Sequence, residues 1–182
     1  MSEVSQVSQV SQVSEVPFGE RLRALSLQRG PLCVGIDPHP GLLAAWDLAD
    51  DVSGLERFSL TVVEALAGQV AVLKPQAAFF ERHGSRGIAV LERVIAQAGA
   101  GGALTIVDAK RGDIGSTMAA YADAFARDGS PLAGDAVTVS PFLGFGSLRP
   151  MLDVAAASGR GCLLYTSPSP RDQRGSRMPS SA

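Results

Sequence analysis

The chain has 182 residues, 46% of them hydrophobic, enough for one domain with a sizeable core. Sixteen Lys and Arg against eighteen Asp and Glu leave a formal net charge of −2, which gives no electrostatic basis for binding nucleic acid or an anionic membrane. No apolar run approaches the roughly 20 residues that cross a bilayer, and the first residues lack the basic and apolar regions of a secretory signal, so a cytoplasmic location is expected.

Residues 1–16 are, after Met1, a triplet repeat: SEV, SQV, SQV, SQV, SEV. Period three matches neither a helix face nor a strand face, so a disordered leader is expected there. Pro17 opens a short helix, Phe18 to Gln28, which Gly30-Pro31 stops. An alternation follows. Apolar, β-branched-rich runs at Leu32–Ile36, Val70–Leu73, Leu104–Val107 and Ala136–Val139 predict strands, with Gly161–Tyr165 a weaker fifth. Between them Ser53-Gly-Leu-Glu56 reads as a capping box leading the stripe Leu55, Phe58, Val62 and Leu66. Ile88, Leu91, Val94, Ile95 and Ala98 form a second helical stripe, closed by Gly99. Met118, Tyr121, Ala122 and Phe125 form a third, closed by Gly129. Ser147 is the expected cap of a fourth, with Pro150 in its first turn. Cys33 and Cys162 lie in apolar segments without metal-ligand spacing and are expected to be buried free thiols.

Continuous apolar strands, each followed by an amphipathic helix, indicate a parallel sheet covered by helices. Doubly wound sheets and (β/α)₈ barrels share that pattern. Here Asp37, Lys74, Asp108, Lys110 and Ser140 recur at the ends of consecutive strands. A barrel gathers such residues around one mouth, which favours a TIM-type (β/α)₈ barrel, of which about five of eight βα units are visible over residues 17–161.

Lys74 and Lys110 are the only lysines; every other basic residue is Arg. A Lys kept against that habit suits a task needing a compact ammonium rather than a guanidinium. Lys110 lies in Asp108-Ala-Lys110-Arg-Gly-Asp113, two carboxylates flanking an ammonium at a strand end. Taken alone, the stretch could equally be a loop with surface ion pairs. Lys74 alone could be half of a structural ion pair. Ser140 could line a pocket or merely end its strand. The recurrence on neighbouring strands argues for a site. Gly144-Phe-Gly146 has Arg149 where a dinucleotide fingerprint needs its third Gly, and His39 and His83 read as loop histidines.

The stretch Asp108-x-Lys110-x-x-Asp113-Ile114-Gly115-x-Thr117 resembles the DxKxxDIGxT signature of the orotidine 5′-monophosphate decarboxylase family. Three further segments agree in order: VGIDP at 34–38, LKPQAAFFE at 73–81, and VTVSP at 137–141 followed by LGFGS at 143–147. The resemblance is greatest to the bacterial type 2 branch. It implies a cofactor-independent carboxy-lyase that converts orotidine 5′-monophosphate to UMP in pyrimidine biosynthesis. Lys110 would deliver the proton to C6, Asp108 would lie against the departing carboxylate, and Lys74 and Asp113 would complete an alternating charge array. Asp37 would bind the ribose, with Ser140 at the pocket. Asp113 and Thr117 would reach into the partner subunit of a homodimer. No metal or cofactor is implied. A sugar-phosphate lyase or aldolase of the same barrel superfamily, some of which use Mg²⁺, is the rival enzyme. From residue 162 the sequence turns Ser-, Pro- and Arg-rich and loses its period. Residues 162–182 are expected to be a disordered tail foreign to the domain. That makes an inactive, truncated fragment the alternative from a different class.

Overall fold

The computed structural model describes residues 16–166; the repeat leader apart from Val16, and the tail from residue 167, lie outside the described residues. Five strands, β1 (Cys33–Ile36), β2 (Val72–Pro75), β3 (Leu104–Arg111), β4 (Ala136–Val139) and β5 (Gly161–Leu164), run parallel in the order β1-β2-β3-β4-β5. Each strand pairs with its sequence neighbour and the order never reverses. That is the winding of a barrel, whereas a doubly wound sheet changes direction at a switch point. The strand β5 runs past the boundary drawn between residues 161 and 162.

Helices α1 (Phe18–Arg29), α2 (Pro40–Ala45), α3 (Val52–Leu66), α4 (Ala77–Glu81), α5 (Gly84–Ala100), α6 (Gly115–Phe125) and α7 (Arg149–Ala157) occupy the ends and connections. The continuous apolar strands have a direct cause: apolar partners lie on both sides of the sheet. Ile36, Leu73, Val107, Val137 and Val139 pack into the helix layer with Leu55, Phe58, Phe80, Leu91 and Met118. Each fully buried Leu or Phe there contributes roughly 1.5–3 kcal/mol. Val72, Leu104, Ile106 and Ala136 form a second cluster, against which Phe18, Leu22 and Leu25 of α1 pack.

The placement of α1 decides which end of the sheet stays open. Its Phe18 N–H donates to the Gly159 carbonyl (3.0 Å), and Arg29 donates to the carbonyls of Ala67, Val70 and Gly102. Arg21 pairs with Asp135. These partners precede β2, β3, β4 and β5, so α1 covers the end where the strands begin. Gly161 is needed here because a Cβ would run into the Phe18 ring. The opposite end, where strands finish, is left for chemistry.

Three local expectations are corrected. Asp51, not Ser53, caps α3: its carboxylate accepts from Gly54 N–H at 2.9 Å while its backbone is extended, so the helix begins at Val52, before the expected cap. Glu56 pairs instead with Arg93 of α5 at 2.5 Å. Ser147 does not cap α7; its hydroxyl donates to the Gly144 carbonyl at 2.7 Å within a 3₁₀ turn, Phe145–Leu148, that leads into the helix at Arg149. The helix α5 runs through Gly99 to Ala100. The short helices α2 and α4 carry too few turns to leave a periodic signal.

The cysteines also differ from expectation. Both are free, but Cys33 is exposed and Cys162 half-buried. On a four-residue β1 only Ile36 is fully buried, so Cys33 lies on the open side of the edge strand. Burial pushes the Cys162 thiol up to about 11.

Candidate active site

The C-terminal ends of β2, β3 and β4 converge on Asp108. This residue is only 7% exposed, yet its carboxylate accepts four hydrogen bonds. Lys74 Nζ, from β2, donates to Oδ2 at 2.9 Å. Gln76 Nε2, just beyond β2, reaches the same oxygen at 3.3 Å. Lys110 Nζ donates to Oδ1 at 2.6 Å, and Thr138 Oγ1, from β4, donates to that oxygen at 2.7 Å. Two ammonium groups thus bracket one buried carboxylate. Burial alone would push the Asp108 carboxyl up, but hydrogen bonds from Lys110, Lys74 and Thr138 and the Lys74 charge outweigh it. The group is held below the usual carboxylate value.

The depressed value fixes the sign of a pH effect. The unfolded value is about 3.9 and the folded one lies lower. Ionised Asp108 therefore stabilises the fold fully above about pH 4, and that contribution is lost as pH falls through the folded value. Thermal unfolding in an acid series should show the wild type losing stability below about pH 4 more steeply than Asp108→Asn, which lacks the contribution throughout. Parallel curves for the two would remove Asp108 as the titrating group.

The local backbone explains how two cations reach one carboxylate. The pairing of β3 with β4 holds Val107 opposite Val137 and Arg111 opposite Val139. Three residues, Asp108, Ala109 and Lys110, therefore bulge opposite the single Thr138. Lys110 has φ +48, a left-handed conformation that costs a side-chain-bearing residue about 1 kcal/mol. Its N–H, displaced from the ladder, donates to Thr138 Oγ1 at 2.9 Å. On the far side of the bulge Arg111 is pinned by an ion pair to Glu81 and lies over the Tyr121 and Phe125 rings at 5.4 and 5.3 Å. Anchoring Arg111 on the helix side leaves Lys110 turned to the mouth. Gly112 follows because a Cβ there would run into the Ser140 carbonyl, and the Ser140 N–H closes the corner by donating to Arg111 O at 2.8 Å.

The other expected site residues stand around this cluster without joining it. Asp37 follows β1, half-buried, with its carboxylate folded back over Gly35. Ser140 follows β4, half-buried. Asp113 accepts from Ile114 N–H at 2.8 Å, and Thr117 is exposed on the first turn of α6. None of the four bonds to Lys74, Asp108 or Lys110 among the described contacts. Ile114 beside them is 61% exposed, and Phe142, Leu143 and Phe145 after β4 are exposed too.

Three neighbours were not singled out from sequence. Gln76 and Thr138 reach Asp108 only through strand pairing; an isolated bridge between Gln76 and Asp108 keeps the β2–β3 register three residues beyond the Leu73–Thr105 pair. Tyr165, just after β5, places its ring 5.3 Å from Lys110 Nζ. No group of three or more His, Cys, Asp or Glu side chains suited to a metal ion occurs among the described residues. No helix among them is long and apolar enough to cross a membrane.

The chain is also similar to known proteins. The family described as orotidine 5′-phosphate decarboxylase / HUMPS matches residues 30–175. A Streptomyces coelicolor protein named orotidine 5′-phosphate decarboxylase is 67% identical over 148 residues, which is 81% of this chain and 53% of that protein. A Nocardioides protein of the same name is 66% identical over 149 residues, 82% of this chain and 55% of that one. The chain spans about half the length of the curated relatives it matches. Among solved structures, one from Streptomyces avermitilis assigned to the same enzyme superposes with a TM-score of 0.83 at 62% identity, over 87% of this chain and 56% of that one. The Leishmania donovani OMP decarboxylase superposes at 0.67 with 32% identity, over 82% of this chain and 53% of that one.

Proposed function

The chain belongs to the orotidine 5′-phosphate decarboxylase / HUMPS family, and from that premise we propose that it carries the catalytic centre of a cofactor-independent orotidine 5′-monophosphate decarboxylase. The observation that carries the reading is a buried Asp108 carboxylate bracketed by the Lys74 and Lys110 ammonium groups at the C-terminal end of the strands. Identity of 66–67% to relatives bearing that name supports it over a sugar-phosphate lyase.

The chemistry asks for such a centre. When the bond from C6 to the carboxylate breaks, CO₂ departs and the electron pair stays on C6, in an sp² orbital that the ring cannot delocalise. A preorganised cation beside that atom lowers the barrier, and proton delivery completes the product. Lys110 supplies both: its Nζ–H bond breaks as the C6–H bond forms, leaving an amine that solvent reprotonates. Asp108 holds the ammonium in position and lies against the substrate carboxylate, and Lys74 fixes Asp108 from the other side. Asp37 and Ser140 line the mouth where the ribose and pyrimidine would rest. Binding energy from the remote phosphate helps hold the reacting carbon in place.

The test is a chimaera. Residues 17–161 joined to the C-terminal remainder of the Streptomyces coelicolor relative should convert orotidine 5′-monophosphate to UMP and CO₂, and should keep doing so after exhaustive chelation. An inactive, folded chimaera overturns the reading. Activity lost on chelation and restored by Mg²⁺ transfers it to the sugar-phosphate lyase.

The same reading makes the working unit a cytoplasmic homodimer, with Asp113 and Thr117 completing the site of the partner subunit. Exposure of Thr117 and Ile114, and the absence of Asp113 from the Lys74–Asp108–Lys110 cluster, support a role across an interface. Mixing inactive Lys110→Ala and Asp113→Ala chimaeras should then restore about a quarter of wild-type activity at full subunit exchange, because half the dimers are hybrids and each has one intact site. No recovery, with exchange verified separately, would make each site self-contained.

A further inference from the structure

We propose that Thr138 is a positioning residue: its hydroxyl couples the bulged backbone of Lys110 to the Asp108 carboxylate and thereby sets where the ammonium stands. The proposal rests on the decarboxylase reading for its effect on rate, but its geometry is independent of that reading. Thr138 is the one β4 residue opposite the three-residue bulge Asp108–Lys110. It is 9% exposed. A hydroxyl has one proton to give, and the Asp108 carboxylate can only accept, so the 2.7 Å contact fixes that proton toward Oδ1. The remaining lone pairs then face Lys110 N–H at 2.9 Å. One side chain thus does two things that the sheet ladder cannot do at a bulge. It satisfies the displaced N–H of a residue held at φ +48, and it supplies a hydrogen bond to the carboxylate that holds Lys110 Nζ. Without the hydroxyl, the left-handed turn at Lys110 loses the bond that stabilises it. The ammonium and the carboxylate then lose their common reference point. Displacements of about 1 Å at a reacting centre cost on the order of 10²-fold in rate.

Thr138→Val removes the hydroxyl and keeps the shape, while Thr138→Ser keeps the hydroxyl and drops the methyl. In the chimaera described above, Thr138→Val should lower kcat by about 10- to 100-fold with KM changed less than about threefold. Thr138→Ser should recover to within about threefold of wild type. A purely structural role would show the reverse: Ser no better than Val, with loss following the fall in Tm. In the full 182-residue chain, amide hydrogen exchange provides a readout that needs no activity. Exchange at Lys110 should accelerate at least about tenfold in Thr138→Val but not in Thr138→Ser, with Val107 and Ala136 unchanged. An inactive wild-type chimaera would overturn the decarboxylase reading and leave the exchange result to decide on Thr138. Unchanged exchange at Lys110 in Thr138→Val, or an unchanged kcat in an active chimaera, overturns the proposal. If the Val side chain prevents folding, Thr138→Ala takes its place, with the same outcomes deciding.

Discussion

Lys110→Ala in the active chimaera should remove nearly all decarboxylation while a substrate analogue still binds measurably. On the proposed mechanism Lys110 contributes both the charge beside C6 and the proton, so its loss would strip the transition state of two stabilising interactions at once. A single preorganised donor to a developing charge is worth about 10²- to 10³-fold, and a proton donor about 10²- to 10⁴-fold. The fold should tolerate the change. Asp108 keeps its bonds to Lys74, Gln76 and Thr138, so it is left neither unpaired nor unsatisfied. The measurement is kcat together with analogue affinity and Tm. Retention of more than about a tenth of wild-type kcat corresponds to under 1.4 kcal/mol of barrier and would sink the assignment.

Asp108→Asn should cost at least about 10²-fold in kcat and, unlike Lys110→Ala, should also lower stability. Both carboxylate oxygens accept from an ammonium, at 2.9 Å from Lys74 and 2.6 Å from Lys110. An amide replaces one acceptor by an NH₂ group, so whichever way Asn turns, one ammonium meets a donor. The two cations also lose the negative charge that holds them together. Removing one partner of a buried pair costs about 3–5 kcal/mol when both groups are fully buried. Here the lysine side chains are 30% and 35% exposed, so screening reduces the expected cost to about 1–2 kcal/mol, or about 2–8 °C in Tm. An Asp108→Asn protein with wild-type kcat would show that the bracketed carboxylate is structural only. One with unchanged Tm but lost activity would show that the two lysines find other partners.

The two variants separate two roles that one cluster combines. In the proposed mechanism Lys110 acts on the substrate, whereas Asp108, which holds both ammonium groups, would also face the substrate carboxylate. Stability should therefore follow the carboxylate and catalysis should need both.

Much of this arrangement is written locally in the sequence. Apolar runs followed by amphipathic stripes place the strands and the longer helices to within a few residues, because burial against a helix layer demands that periodicity of each segment by itself. The scarcity of lysine picks out Lys74 and Lys110, and the ends of consecutive strands bring Asp37, Lys74, Asp108 and Ser140 to one mouth once the sheet is parallel and singly wound. What the sequence could not supply depends on partners distant along the chain. Lys74 and Asp108 are 34 residues apart, Asp108 and Thr138 are 30 apart, and Lys110 and Thr138 are 28 apart. Register between β3 and β4 decides that three residues face one, and hence that Thr138 meets both Asp108 and Lys110 N–H. No local propensity favours a left-handed Lys; its conformation follows from the bulge, with Thr138 and Arg111 holding the two sides. Exposure of Cys33 likewise follows from its place on an edge strand. Local pattern sets which residues can form a strand, and packing of strands against one another sets which of their side chains meet.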